Sequence, residues 1–200
     1  MLNMRSTEIL EAAIGEFAAR GFAGATVRGI ARAAGVSPGL VLHHFGSRDG
    51  LREECDNHVF VAITEAKKTN ADRGTAALPT MLADPRMRVY VDYLVASLVD
   101  PSEHGQRFFD HYVDTVEEIL DAGFAGYTFR RTGGEAGEAG TMPADRRARS
   151  CAVALLGLAP ALLHQRVGTV LGTSDMPETL SRLGPQLFDI YLHGLIEEKP

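Results

Sequence analysis

Apolar residues recur at helical spacing along almost the whole chain, and no stretch shows strict alternation, so the pattern predicts an all-α protein. From Arg5 to Arg20, Ile9, Ala13 and Phe17 fall four apart beside Leu10, Ile14 and Ala18, which makes one broad apolar face. Gly21 stands where a glycine ends a helix. Thr26 is a good N-cap for a second helix, in which Val27, Ile30, Ala31 and Ala34 repeat with the same period. Gly35 stops that helix, Ser37 caps a third, and Pro38 occupies its first position, where a missing N–H costs nothing. The third helix ends near Phe45-Gly46; Ser47 caps a fourth, predicted from Arg48 to Ala71, with Asp49 suited to its N-terminal dipole.

Further helices are predicted over Pro85–Asp100, Glu103–Gly126, Ala144–Leu171 and Pro177–Ile196, with Pro160 expected to kink the third of these. Residues 130–143 hold four glycines and a proline and predict a flexible loop. The natural division is 1–47 as one domain and 48–200 as a second.

Two short helices joined at Gly35-Val36-Ser37 have the form of a helix-turn-helix. Ala31, Ala33 and Ala34 permit close packing, and Gly35 permits the sharp turn. Val41 and Phe45 are expected to face the core and Gly39, Leu40 and His43 the opposite side. Ser37 and Pro38 sit at a helix N-terminus suited to phosphate, with Thr26 in the same role at the second helix. Arg28 and Arg48 flank the surface and can reach phosphates or a base edge. Leu40 and Leu42 either touch thymine methyls or pack. The candidate DNA-binding set is therefore Thr26, Arg28, Ser37, Pro38, Gly39, Leu40, Leu42, His43 and Arg48.

Residues 9–56 resemble the N-terminal domain of TetR-family regulators. The landmarks are Phe17-Ala18-Ala19-Arg20-Gly21-Phe22, Thr26-Val27-Arg28, Ile30-Ala31, Ala34-Gly35-Val36-Ser37, His43-His44-Phe45 and Ser47-Arg48. The resemblance implies about nine helices, a dimer formed through the last two, and a C-terminal cavity whose ligand changes DNA affinity. In two places the chain departs from the family's habit. Leu42 stands where a tyrosine that helps hold a phosphate is usual, and Leu40 replaces a frequent small polar residue. Arg48 keeps the charge of a common lysine.

Charge fits this division. The net charge is −6, yet residues 1–50 carry five arginines against four acids, so the acidity lies beyond the first fifty residues. Two distant cysteines, Cys55 and Cys151, suit a reducing cytoplasm and make no disulfide framework. Charges interrupt every short apolar run near the N-terminus, unlike a signal peptide, and Cys151–Leu163 is too short to span a bilayer, so no membrane partner is expected.

Leu155, Leu158 and Leu162 form one stripe and Leu180, Leu183, Leu187 and Tyr191 another; these are the candidate dimer interface, with intramolecular core as the alternative. Aromatic and polar residues on otherwise apolar helices are the candidate ligand contacts: Tyr90, Tyr93, Phe108, Phe109, His111, Tyr112, His164 and Gln165, each of which can equally be core. No catalytic residue, cofactor or metal is assigned. Gly35-Val36-Ser37-Pro38-Gly39 matches G-x-S-x-G, but a helix precedes it instead of a strand. The glycines of 133–140 lack the lysine of a phosphate loop. His111 with Asp110 and Asp114 reads as a solvated helix face, and no close Cys/His cluster occurs. The expected function is a ligand-responsive DNA-binding regulator, a repressor released from its operator by a small, largely apolar molecule. Its expected partners are operator double-stranded DNA, that effector and a second copy of the chain. The alternative is a helical interaction module or small helical enzyme that uses the C-terminal pocket without operator binding.

Overall fold

The structure, a computed structural model, describes residues 4–70, 77–123 and 145–193. The loop predicted over 130–143 and the last three residues of the final predicted helix lie outside this set. Ten helices and no strands occur among the described residues: α1 (Met4–Gly24), α2 (Val27–Ala33), α3 (Pro38–Phe45), α4 (Arg48–Thr69), α5 (Ala77–Leu82), α6 (Pro85–Val99), α7 (Glu103–Ala122), α8 (Arg146–Leu162), α9 (His164–Leu171) and α10 (Met176–His193).

The capping residues read from the sequence act as caps. The Thr26 hydroxyl accepts from the Gly29 N–H at 3.1 Å, Ser37 from Leu40 at 3.2 Å, and Ser47 from Gly50 at 2.9 Å. Each bond satisfies a backbone donor that the helix itself leaves without a partner. Helical geometry breaks inside α1 at Gly21 (φ 67°), and Gly35 (φ 66°) makes the turn between α2 and α3. Both angles lie in the left-handed region that glycine enters without steric cost.

Two features depart from the expected pattern. The short helix α5 packs on α10, with buried Leu82 against Met176 and Leu180. The helix predicted as one unit over Ala144–Leu171 is two, α8 and α9, bent by 63°. Pro160 has no N–H for the α8 ladder, and the helix ends two residues later at Leu162, with Leu163, whose φ of −110° is not helical, at the bend.

The main core runs between α1, α4, α6, α7 and α8, from Ile9, Leu10, Ile14 and Phe17 through Cys55 and Val59 to Tyr93, Phe108 and Leu158. α1 packs most extensively on α6, so the segment carrying the helix-turn-helix is seated directly on the rest of the molecule. Phe17, Phe22 and Tyr93 form that seat, with Phe22 stacked on Phe17 at 4.9 Å and edge-on to Tyr93 at 5.5 Å. No single helix among the described residues is long and apolar enough to cross a membrane.

Candidate nucleic-acid interface and effector region

α3 buries Val41 against the core and half-buries Leu40, His44 and Phe45. Its opposite side is uncovered: Ser37, Pro38, Gly39, Leu42 and His43 are all exposed. Leu40, expected on the open side, leans back toward the core instead, and Leu42, for which contact with a thymine methyl or packing were both open, belongs to the exposed arc. His43 stands edge-on to His44 at 5.6 Å. Thr26 and Arg28 are exposed beside α3 on the first turn of α2. The capping oxygens of Thr26 and Ser37 accept bonds from their own helices, which leaves each hydroxyl proton free to be donated outward.

Arg48 points the other way. Its guanidinium donates to the carbonyls of Phe22 and Ala25 (Nε to Ala25 at 3.3 Å) and lies 5.5 Å from the Phe17 ring. One turn on, Arg52 is buried with its guanidinium 3.6 Å above the Phe22 ring and 2.7 Å from the Asp100 carboxylate. Asp100 also accepts from the Ser102 hydroxyl, the cap of α7. Burial pushes the Asp100 carboxyl up, but Ser102 and Arg52 outweigh it and hold the group below the usual carboxylate range. Nε and Nη2 of Arg52 have no hydrogen-bond partner.

The aromatic and polar candidates of the C-terminal part do not meet in one cavity. Tyr90 and Tyr93 are fully buried and their hydroxyls are engaged. Tyr90 donates to Glu11 of α1 at 2.6 Å and accepts from Arg86 at 2.7 Å, with His58 of α4 at 2.9 Å. Tyr93 donates to Asp56 of α4 at 2.7 Å. Phe108 and His111 line a groove of about 270 Å³ between α4 and α7, together with Glu53, Asp56, Phe60 and His104. In that groove the Phe60 ring lies 4.6 Å from Phe108 and 4.4 Å from His111. Tyr112 is buried beside Phe60, and Phe109 is half-buried against the core. His164 and Gln165 line a separate cavity of about 260 Å³ at the α8–α9 bend, facing Asp92 and Val95 of α6. Desolvation raises the carboxyls of Asp56 in the groove and Asp92 in the second cavity, Asp56 to about 6.

Of the candidate dimer residues, Leu155 and Leu162 are exposed, Leu183 and Leu187 are half-buried, and Leu158 and Leu180 are buried within the protomer. The side chain of Tyr191 lies outside the described set. Leu156, Leu163 and Val170, not singled out from the sequence, extend the exposed apolar surface of α8 and α9. Glu11, Arg52, Asp56 and Asp100 were also missed. The spacing Arg48, Arg52, Asp56 on one α4 face was the available signal.

Residues 9–55 match the family model described as bacterial regulatory proteins, tetR family. The chain is 36% identical over 197 residues to the HTH-type transcriptional regulatory protein RaaS of Mycobacterium tuberculosis, covering 96% of this chain and 86% of that protein. It is also 34% identical over 89 residues to the regulator BetI of Paraburkholderia phytofirmans, covering 44% and 42% of the two chains. This chain belongs to the TetR family. It is a helix-turn-helix transcriptional regulator, of a family in which ligand-responsive repression is typical and which is not a family of enzymes. Solved structures share its fold. NalD of Pseudomonas aeruginosa, the secondary repressor of the MexAB-OprM multidrug efflux pump, superposes with a TM-score of 0.61 at 22% identity and covers 98% of both chains. FadR of Bacillus subtilis, in complex with stearoyl-CoA, superposes at 0.56 with 14% identity over 95% of this chain and 99% of that one.

Proposed function

We propose that this regulator binds operator DNA as a homodimer, one α3 per half-site, and that a small, largely apolar effector bound beyond α3 releases it as a repressor. The observation that carries this reading is the uncovered side of α3, where Pro38, Gly39, Leu42 and His43 are exposed beside Arg28. In the bound state the Thr26 and Ser37 hydroxyls donate to phosphates, Arg28 reaches a phosphate or base edge, and His43 meets the major-groove floor. Arg48 acts from behind, by fixing the turn between α1 and α2 onto α4. Residues 1–47 form the DNA-binding unit and 48–200 the effector and dimer unit. The two α3 helices of the dimer lie one DNA turn apart, roughly 34–36 Å, or a multiple of it.

The effector region is assigned to the groove between α4 and α7, where Phe60 and Phe108 offer apolar contacts and Glu53, Asp56, Asn57, His104, Arg107 and His111 polar ones. α4 borders that groove and also holds the α1–α2 turn through Arg48 and Arg52, so a ligand that moves α4 moves the DNA-binding unit with it. The ligand shifts the balance only by its difference in affinity for the two arrangements.

The test is a mobility shift of the full chain on the DNA upstream of its own gene. Binding is expected to survive competitor DNA and to weaken as salt rises and counterion release gains less. Arg28→Ala and His43→Ala are each expected to weaken binding by about tenfold or more at unchanged thermal midpoint. Wild-type binding by both variants would remove α3 and its flank as the reading surface.

A further inference from the structure

Two features of α3 answer no need inside the molecule. Leu42 is a large apolar side chain left 42% exposed. Gly39 has an ordinary helical φ, and a Cβ added to it would meet nothing closer than the Ser37 hydroxyl at 4.0 Å. Neither packing nor backbone geometry asks for glycine there, although glycine weakens a helix. Helical spacing sets Gly39 on the exposed arc between Leu42 and His43.

The chemistry of that arc is narrow. α3 contains no Arg, Lys, Asn, Gln, Asp or Glu, the side chains that pair with base edges through two hydrogen bonds. Among its exposed side chains only the His43 imidazole can form a hydrogen bond to a base. An apolar group reads apolar groups, and the major-groove edge of a base pair offers one, the C5-methyl of thymine.

We propose that Leu42 reads a thymine methyl in each operator half-site, and that Gly39 lets the first turn of α3 come close enough to the base edges for it to do so. The proposal rests on the operator reading above and adds what that operator must contain. A side chain at position 39 would stand between the helix and the groove floor and hold Leu42 off the methyl.

The experiment selects duplexes from a random library with the full chain, then replaces each thymine of the selected site by uracil, which removes only the methyl. One thymine per half-site is expected to show about a fourfold loss of affinity on replacement, about sixteenfold when both half-sites are changed. Leu42→Ala is expected to bind the thymine operator more weakly and to be indifferent to that replacement. Gly39→Ala is expected to lose affinity while its thermal midpoint holds or rises, an outcome that a merely structural glycine would not give. A selected operator that tolerates uracil throughout, or a Leu42→Ala protein that keeps the full uracil penalty, overturns the proposal and leaves the regulator reading standing. Failure to enrich any sequence over random DNA removes the operator reading first, and the methyl contact with it.

Discussion

Asp56 is held by contrary demands. Its carboxylate accepts from Tyr93 at 2.7 Å and lies 3.9 Å from Arg52, both of which favour the charged form. Burial outweighs them and raises its pKa from 3.8 to about 6. The folded protein thus binds this proton more tightly than the unfolded chain does. The group's contribution to stability is full below about pH 4 and is lost as pH rises through 6. Asp56→Asn keeps an oxygen to accept from Tyr93 and removes the charge. At pH 7.5 the variant is expected to be more stable by about 1–3 kcal/mol, since each tenfold difference in proton affinity between the folded and unfolded chain is worth roughly 1.4 kcal/mol. The gain should vanish toward pH 4, which denaturant melts across that range would measure. A stability difference that does not change with pH would show that the charge is not the cause.

The same residue shows what a sequence hides. Tyr90 and Tyr93 read as pocket residues because their polar tips interrupt an apolar helix. Their partners, Glu11 and Asp56, come from positions 79 and 37 residues earlier, and no local pattern announces such a pairing. The phosphate role expected of Arg48 rests on its place in a motif, whereas its inward turn depends on two carbonyls more than twenty residues away. The exposed arc of α3, by contrast, is nearly legible, since caps and a 3.6-residue period fix a short helix almost completely; only Leu40 leaves its expected place.

Among the elements, α1 to α4 follow the sequence closely because α2, α3 and α4 each start on a capping hydroxyl and each turn between them holds a glycine. α5 and the α8–α9 bend are not readable in this way. α5 is six residues held by its burial on α10, too short for a period to show, and the bend falls three residues beyond the proline that disposes the helix to break. The corner between α6 and α7 is another tertiary construction. Arg52 reaches it through Asp100, and Gly105 sits so close that an added Cβ would overlap the Asp100 carbonyl. Gly105→Ala is therefore expected to destabilise the protein by about 2 kcal/mol or more, despite alanine's better helix propensity. Arg52→Ala and Asp100→Ala should each destabilise as well. Their double mutant is expected to show a coupling of about 1–3 kcal/mol in denaturant melts, as residues that share one interaction do. Additive losses would mean that the pair does not join α4 to the corner.

At the scale of the whole molecule, the expected leucine stripes divide between two jobs. Leu158 is 4% exposed and Leu180 2%, so both hold the protomer together. Leu155, one turn before Leu158, is 56% exposed, and Leu156, Leu162, Leu163 and Val170 on either side of the bend are exposed as well. Large apolar side chains left exposed in this number are candidates for contact with a second copy, and two-fold pairing would place the same leucines on both sides of that contact. Leu155→Asp and Leu156→Asp are therefore expected to give folded monomers, with helicity and thermal midpoint close to wild type, in sedimentation velocity. Leu158→Asp should unfold the chain instead, since it places a charge inside the core where no partner waits. DNA binding ties the two levels together. A dimer engages both half-sites in one event, whereas a monomer must bind each alone and loses the effective concentration that tethering supplies. The Leu155→Asp monomer should accordingly bind a single half-site as wild type does and the full operator at least tenfold more weakly. A variant that stays dimeric with an aspartate at position 155 would place the two-fold axis on another face of α8 and α10.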